Sequence, residues 1–337
     1  MSRRKLSHQQ IQRVGDQSKQ RDDLLTGRVV ARYGKKAQVY NDAGKELRLL
    51  IPGKLHGATR GDDIVVGDLV LYKPHDNHDS DGVIQARNEP KTLLVRFPRG
   101  TTRPKNVAAN VTQLAIVIAP KPAVTSLIID EYLLAAAAYN LQPIIIANKS
   151  DLIDSQLPEY QQLLADYKTL GVEIIQVSAN PDKTIVDSHN LINIATLKTY
   201  LKNHTSVFMG TSGVGKSSLL NTLVGEEIAH TNIISATADL GQHTTTTARL
   251  YFLPEAIEII DAPGIREFRL DQVSQQALKL SYDELHQLPC KFNNCSHKRE
   301  PGCAVTAQLA NKPTALFTWR YNNYLSLYND LVEGLRE

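Results

Sequence analysis

No stretch of this 337-residue chain is apolar for long enough to cross a bilayer, and its basic start lacks the apolar core of a secretory signal. Both absences point to a cytoplasmic protein with no membrane partner. Cysteine is scarce: Cys290, Cys295 and Cys303 are the three present, and they fall within one short segment. In a reducing compartment such clustering argues for a metal site and against disulfides. Repetition at solenoid periods is missing. Charge is nearly balanced, with a net +3, too little to declare a partner. Its distribution says more. Met1 to Arg21 carries Arg3, Arg4, Lys5, Arg13, Lys19 and Arg21 against one acid, Asp16. That segment reads either as a solvated tail or as an arm that binds nucleic acid.

The length exceeds one typical core, so two or three domains are expected. From Thr26 to about Phe97, short β-rich runs ("GRVVARY", "KAQVY", "ELRLLI", "DLVLY") are separated by Gly, Asp and Asn turn signals. The spacing reads as a small β-barrel or sandwich. A five-stranded OB-type barrel suits the length, although the pattern alone does not separate it from an SH3-like one. "FPRGTTRPKN" (97–106) reads as a linker. Beyond it, buried strands alternate with helical segments, the βαβ signature of a parallel sheet covered on both faces. The expected organisation is therefore multidomain α/β: a basic arm (1–23), the barrel (24–105), an α/β domain (106–280) and a cysteine-bearing helical region (281–337).

"GTSGVGKS" (210–217) follows the strand-like "SVFM" and precedes a helical run. The pattern G-x-x-x-x-G-K-S, here Gly210, Gly215, Lys216 and Ser217, lets backbone N–H groups close around a β-phosphate at a helix N-terminus. Lys216 would span the β- and γ-phosphates, and Ser217 would offer its hydroxyl to Mg²⁺. "DAPG" (261–264) ends an apolar strand, which puts Asp261 near the metal and the Gly264 backbone near the γ-phosphate. "NKSD" (148–151) also ends a strand. Guanine presents N1–H and its exocyclic amine as paired donors, which the Asp151 carboxylate accepts and adenine does not match. Asn148 would tie this loop to the phosphate-binding segment, with the Lys149 stem along the base. Ser178 and Ala179, after "IIQV", would supply a backbone N–H to guanine O6.

The base reader precedes the phosphate loop here, the reverse of ordinary GTPase order. Every nucleotide-contacting segment hangs from the carboxyl edge of one sheet, so a permuted chain builds the same pocket. "GQHTTTT" (241–247) is the expected first switch, with one of Thr244 to Thr247 closing on Mg²⁺. Ile265 stands where many GTPases carry a water-orienting glutamine, so slow intrinsic turnover is expected unless His243 or a partner supplies that function. A structural role is the alternative for His243. Cys290, Cys295, His297 and Cys303 have the spacing C-x₄-C-x-H-x₅-C, three thiolates and an imidazole that form a closed structural zinc set. Trp319, Tyr321, Tyr324 and Tyr328 make a helical aromatic stripe, which reads as core rather than as a base-stacking surface.

This order of motifs, with Gly-x-His-Thr-Thr-Thr before Asp-x-Pro-Gly and the cysteine cluster after it, resembles the RsgA (YjeQ) family of bacterial ribosome-small-subunit-dependent GTPases. The resemblance covers nearly the whole chain. It implies an OB-fold, a circularly permuted GTPase domain and a zinc-binding domain. It also implies a factor that binds the small ribosomal subunit and its rRNA near the decoding region late in maturation. Such a factor hydrolyses GTP to GDP faster when bound there and helps release another assembly factor. Guanine recognition then falls to Asn148, Lys149, Ser150 and Asp151. Phosphate binding falls to Gly210, Thr211, Ser212, Gly213, Val214, Gly215, Lys216, Ser217 and Ser218, with Lys216, Asp261 and His243 as the catalytic candidates. Ala262 departs from the family's usual Asp-Thr-Pro-Gly, at a position whose side chain need not touch nucleotide. A monomer is expected. A GTP-responsive RNA-binding module with incidental hydrolysis is the second reading; switches that lead into the cysteine-bearing region favour the first.

Overall fold

Apolar and polar residues alternate at the start of the described chain, and strands form wherever they do. The computed structural model describes residues 24–55, 63–77, 79–96, 104–152, 157–178, 194–231, 248–262 and 273–333. By its contacts the chain divides into two compact units. The first contains β1 (Leu25–Tyr33), β2 (Lys36–Asn41), β3 (Glu46–Leu50), β4 (Leu69–Asn77) and β5 (Ser80–Arg87). Their order is β1-β2-β3-β5-β4, and β4 returns to pair with β1, which closes a five-stranded barrel. β3 and β5 run parallel while the other pairs are antiparallel, as in an OB-type Greek-key barrel. Alternate residues of each strand, among them Val29, Val39, Leu49, Val70, Tyr72 and Ile84, fill its interior. Each large apolar side chain so buried stabilises by roughly 1.5–3 kcal/mol. β6 (Leu93–Arg96) and β7 (Lys105–Ala109) are the next strands in the chain.

From Val111 onward the pattern changes, and so does the architecture. β8 (Gln113–Ile118) is buried at every residue, as expected of a strand covered on both faces. α1 (Ser126–Ala138), capped by Thr125, leads to β9 (Gln142–Ala147), then α2 (Pro158–Thr169), β10 (Ile174–Gln176) and α3 (Ile194–Leu201). β11 (Thr205–Met209), again buried throughout, runs into the glycine loop and α4 (Lys216–Thr231). β12 (Arg249–Leu253) and β13 (Ile257–Asp261) follow. The sheet order is β10-β9-β8-β11-β13-β12, and β10, β9, β8, β11 and β13 are mutually parallel. From β8 the chain winds outward to β10 and then returns to start again at β11 on the other side. The order therefore reverses between β8 and β11, and open α/β sheets bind ligands at the carboxyl ends of strands at such a reversal.

The C-terminal segment belongs to the same compact unit as this sheet. α5 (Gln275–Ser281), α6 (Asp283–His286), α7 (Ala304–Ala310) and α8 (Ala315–Glu333) surround the cysteine cluster. Leu134 of α1 shares a core with Leu278, Tyr282, Cys295, Cys303, Tyr324 and Leu327. Tyr321 and Tyr324 are buried there, as the aromatic stripe predicts. Among the described residues, no helix is long and apolar enough to cross a membrane.

Candidate functional site

The glycine loop sits at the sheet reversal, and glycine is required there by contact. Gly210 has φ +151°, and a Cβ on it would lie 2.2 Å from the Val117 carbonyl oxygen of β8. Gly215, at φ +92°, has no room for a side chain because a Cβ would meet Asn148 Nδ2 at 2.4 Å. That close approach lets the buried Asn148 Nδ2 donate to Val214 O at 2.9 Å. Lys149 takes the left-handed conformation (φ +57°), and its Nζ donates to Gly213 O at 2.7 Å and Lys121 O at 3.0 Å. Lys216 Nζ donates to Gly210 O (2.7 Å) and Thr211 O (2.8 Å) within the loop. Asn148 and Lys149 thus clamp the loop after β9 onto the loop after β11.

Two further bonds shape the Asn148–Asp151 turn. The buried Ser150 Oγ donates back to Ala147 O at 2.9 Å, and Ser178 Oγ, after β10, donates to Asp151 Oδ1 at 2.8 Å. Asp151 itself is half-exposed. The buried Asn148 Oδ1 has no hydrogen-bond partner among the described residues, and neither does Thr211 Oγ1. Buried oxygens left open in this way mark a place where a polar ligand completes the network. Ser217 and Ser218 lie in the first turn of α4, and Asp261 ends β13, the parallel neighbour of β11. Ala179, His243, Thr244 to Thr247, Gly264 and Ile265 lie outside the described residues.

The other polar cluster holds three thiols and an imidazole. The ligand atoms of Cys290, Cys295, His297 and Cys303 lie within 4.8 Å of one another. Cys290 Sγ is 4.0 Å from Cys303 Sγ and 3.5 Å from His297 Nδ1. A tetrahedral ion with metal–sulfur bonds of about 2.3 Å spaces its sulfurs by roughly 3.8 Å, so the donor set and its spacing fit zinc. Two groups brace the ligands. His297 Nε2 lies 2.8 Å from His286 Nδ1, and burial together with His297 and Lys279 pushes His286 down to about 4, which keeps its ring neutral. Glu300 accepts the Ser296, Lys298 and Arg299 N–H groups. Burial opposes its ionisation, yet these bonds and the Ser296 hydroxyl hold its carboxyl down to about 2.

The model of the family described as RsgA GTPase matches residues 87–271, more than half of the chain. The chain is 38% identical to the small ribosomal subunit biogenesis GTPase RsgA of Pseudomonas savastanoi pv. phaseolicola, over 91% of its length and 86% of the relative. It is 35% identical to the protein of that name from Hahella chejuensis, over 99% and 98% of the two chains. This chain belongs to the RsgA family. Like other RsgA GTPases it is a GTP hydrolase. YjeQ from Thermotoga maritima superposes with a TM-score of 0.66 at 29% identity, covering 92% of this chain and 99% of that one. YloQ, described as a circularly permuted GTPase, gives 0.66 at 22% identity over 93% and 96%, a likeness of fold. The order β8, β9, β10, then β11 is that permutation seen in the sheet.

Two contacts of this site are not legible in the sequence. Besides offering its stem to the base, Lys149 staples Lys121 to Gly213 through its ammonium. His286 carries no signal beyond lying four residues before Cys290, because its partnership with His297 depends on how α6 packs.

Proposed function

We propose that this chain is a GTPase that binds the small ribosomal subunit and its rRNA and assists late maturation of that subunit. It turns over slowly alone and faster on the subunit, and its action promotes release of another assembly factor. The clamp of Asn148 and Lys149 on the backbone of Val214 and Gly213 carries the nucleotide reading, since it joins a guanine reader to a phosphate loop. The names of the relatives support the ribosomal part.

On this reading Asn148, Lys149, Ser150 and Asp151, with Ser178 and Ala179, hold guanine, and Gly210 to Ser218 hold the phosphates. Phosphate oxygens take the Lys216 ammonium from the carbonyls of Gly210 and Thr211. Ser217 would hold Mg²⁺, with Asp261 close by; the ion would neutralise charge on the phosphates, and the Gly264 N–H would approach the γ-phosphate. Ile265 orients no water, so His243 or the bound subunit takes that part. Residues 1–23 form an arm, 24–105 an RNA-binding barrel, 106–280 the GTPase domain and 281–337 the zinc-binding domain of a cytoplasmic monomer. The deciding experiment compares turnover with and without purified small subunits. Equal turnover in the two would leave an RNA-binding module with incidental hydrolysis.

The arm, Arg96, Arg99, Arg103 and Lys105, and Lys298 with Arg299 offer phosphate contacts in three places. Affinity for the subunit should fall by about 0.7 to 0.9 log units per log unit of salt for each phosphate neutralised. Removing residues 1–21 should weaken subunit association and stimulated turnover together while GTP affinity holds. Co-sedimentation across a salt series checks this, and a flat salt response would defeat it.

The purified protein should carry one zinc, held by Cys290, Cys295, His297 and Cys303. Cys295→Ala should lose it and unfold residues near 285–310, because metal binding supplies much of the folding energy of so small a segment. Metal analysis and hydrogen exchange read the two effects. Zinc-free protein from a chelator-free preparation would overturn the assignment.

A further inference from the structure

Asp130 lies on α1, outside the nucleotide and cysteine motifs, and is 1% exposed. Four donors from three other parts of the chain converge on its carboxylate. Oδ1 accepts from Tyr167 Oη of α2 at 2.8 Å and from Arg320 Nη1 of α8 at 2.7 Å. Oδ2 accepts from Tyr282 Oη, just beyond α5, at 2.8 Å and from Asn323 Nδ2 of α8 at 2.7 Å. Arg320 is 3% exposed, donates also to Glu284 and to Ser281 O, and lies 3.8 Å over the Tyr282 ring. Burial pushes the Asp130 carboxyl upward, against the pull of Arg320 and the other three donors. A buried ion pair adds little stability over apolar packing of the same shape, but a fully satisfied one selects a single arrangement.

What that arrangement joins is visible on both sides. Toward the metal ligands, Tyr321 and Tyr324, interleaved on α8 with Arg320 and Asn323, donate to His297 O (2.8 Å) and Ser296 O (3.1 Å). Toward the nucleotide loops, the chain reaches α1 through Lys121 and Pro122. Lys121 O accepts from Lys149 Nζ, and the Pro122 ring packs 3.5 Å from where a Gly213 Cβ would stand. One stretch of α8 therefore grips the ligand loop and α1 at once, and the lead-in to α1 touches both Lys149 and the glycine loop.

We propose that Asp130 and Arg320 are positioning residues that couple the metal-bearing C-terminal segment to the nucleotide loops through α8 and α1, so that metal and guanine nucleotide raise each other's affinity. The inference rests on the reading of Asn148–Asp151 and Gly210–Ser217 as a guanine-nucleotide site. The route does not pass through the switch segments.

The test is a thermodynamic cycle on the full chain. Affinity for a fluorescent N-methylanthraniloyl GDP is measured with zinc bound and after chelation, in wild type and in Arg320→Met. Wild type should lose roughly tenfold in affinity on chelation, a typical coupling between sites, and linkage requires GDP to raise zinc affinity by the same factor. Arg320→Met should bind GDP more weakly from the outset and lose less than about twofold more on chelation. A purely structural pair would change melting temperature but leave the chelation effect intact. Should Arg320→Met fail to fold, Tyr282→Phe removes one donor and keeps the ring, and its chelation effect should be smaller than that of wild type. The same drop in every variant, or none in wild type, overturns the coupling. Wild type that binds no GDP in either state refutes the site reading, and this inference with it.

Discussion

Lys216→Ala should abolish tight GTP binding and leave the fold intact. The ammonium's two loop acceptors, Gly210 O and Thr211 O, belong to the loop that closes on phosphate, so the residue serves the ligand rather than a core. Each charge-assisted bond to a phosphate oxygen contributes about 1.5–3 kcal/mol, so losing two weakens binding by at least roughly a hundredfold. Titration with a fluorescent GTP analogue reads the loss, and a circular-dichroism melt near the wild-type temperature shows that the fold survives. Wild-type affinity and turnover in the variant would remove Gly210–Ser218 from the phosphate site.

Asp151→Asn should move the preference from guanine to xanthine nucleotides. The carboxylate is held by Ser178 Oγ on one oxygen, and an amide there would present a donor to the guanine donors. An unpaired buried donor costs a few kcal/mol, enough for a preference of several hundredfold. Xanthine carries a carbonyl where guanine has its amine, and it accepts from the new amide. Competition between GTP and XTP for the variant decides the matter, and unchanged GTP affinity would take Asp151 out of the site.

The motifs were legible because each is local: a strand, a short loop of fixed composition, and a helix or a second strand. Asn148 illustrates how far that goes, since its tie to the phosphate loop follows from its place at a strand end beside a parallel neighbour, and Nδ2 does reach Val214 O. The closed barrel was half legible. Strand spacing announces a small β-fold, but the return of β4 to β1 is a long-range pairing that alternation does not encode. The Asp130 network was not legible at all. Its partners lie 37, 152, 190 and 193 residues away, and "SLIIDEYLLAAAAYN" reads as a helix whether or not its aspartate is buried. Only packing of α8 on α1 tells that carboxylate from a solvated one.

The place of β11 between β8 and β13 has a consequence during translation. A ribosome delivers β8, β9 and β10 first, and one long edge of β8 waits for a strand that begins only at Thr205. At about 5–20 residues per second that wait is on the order of ten seconds. A nascent chain of this kind carries an open, apolar sheet edge at the seam where its ligand later sits. Nucleotide has no phosphate loop to grip until α4 has been made, and so cannot template the earlier half. Slow synthesis through residues 119–204 should therefore raise chaperone demand and aggregation.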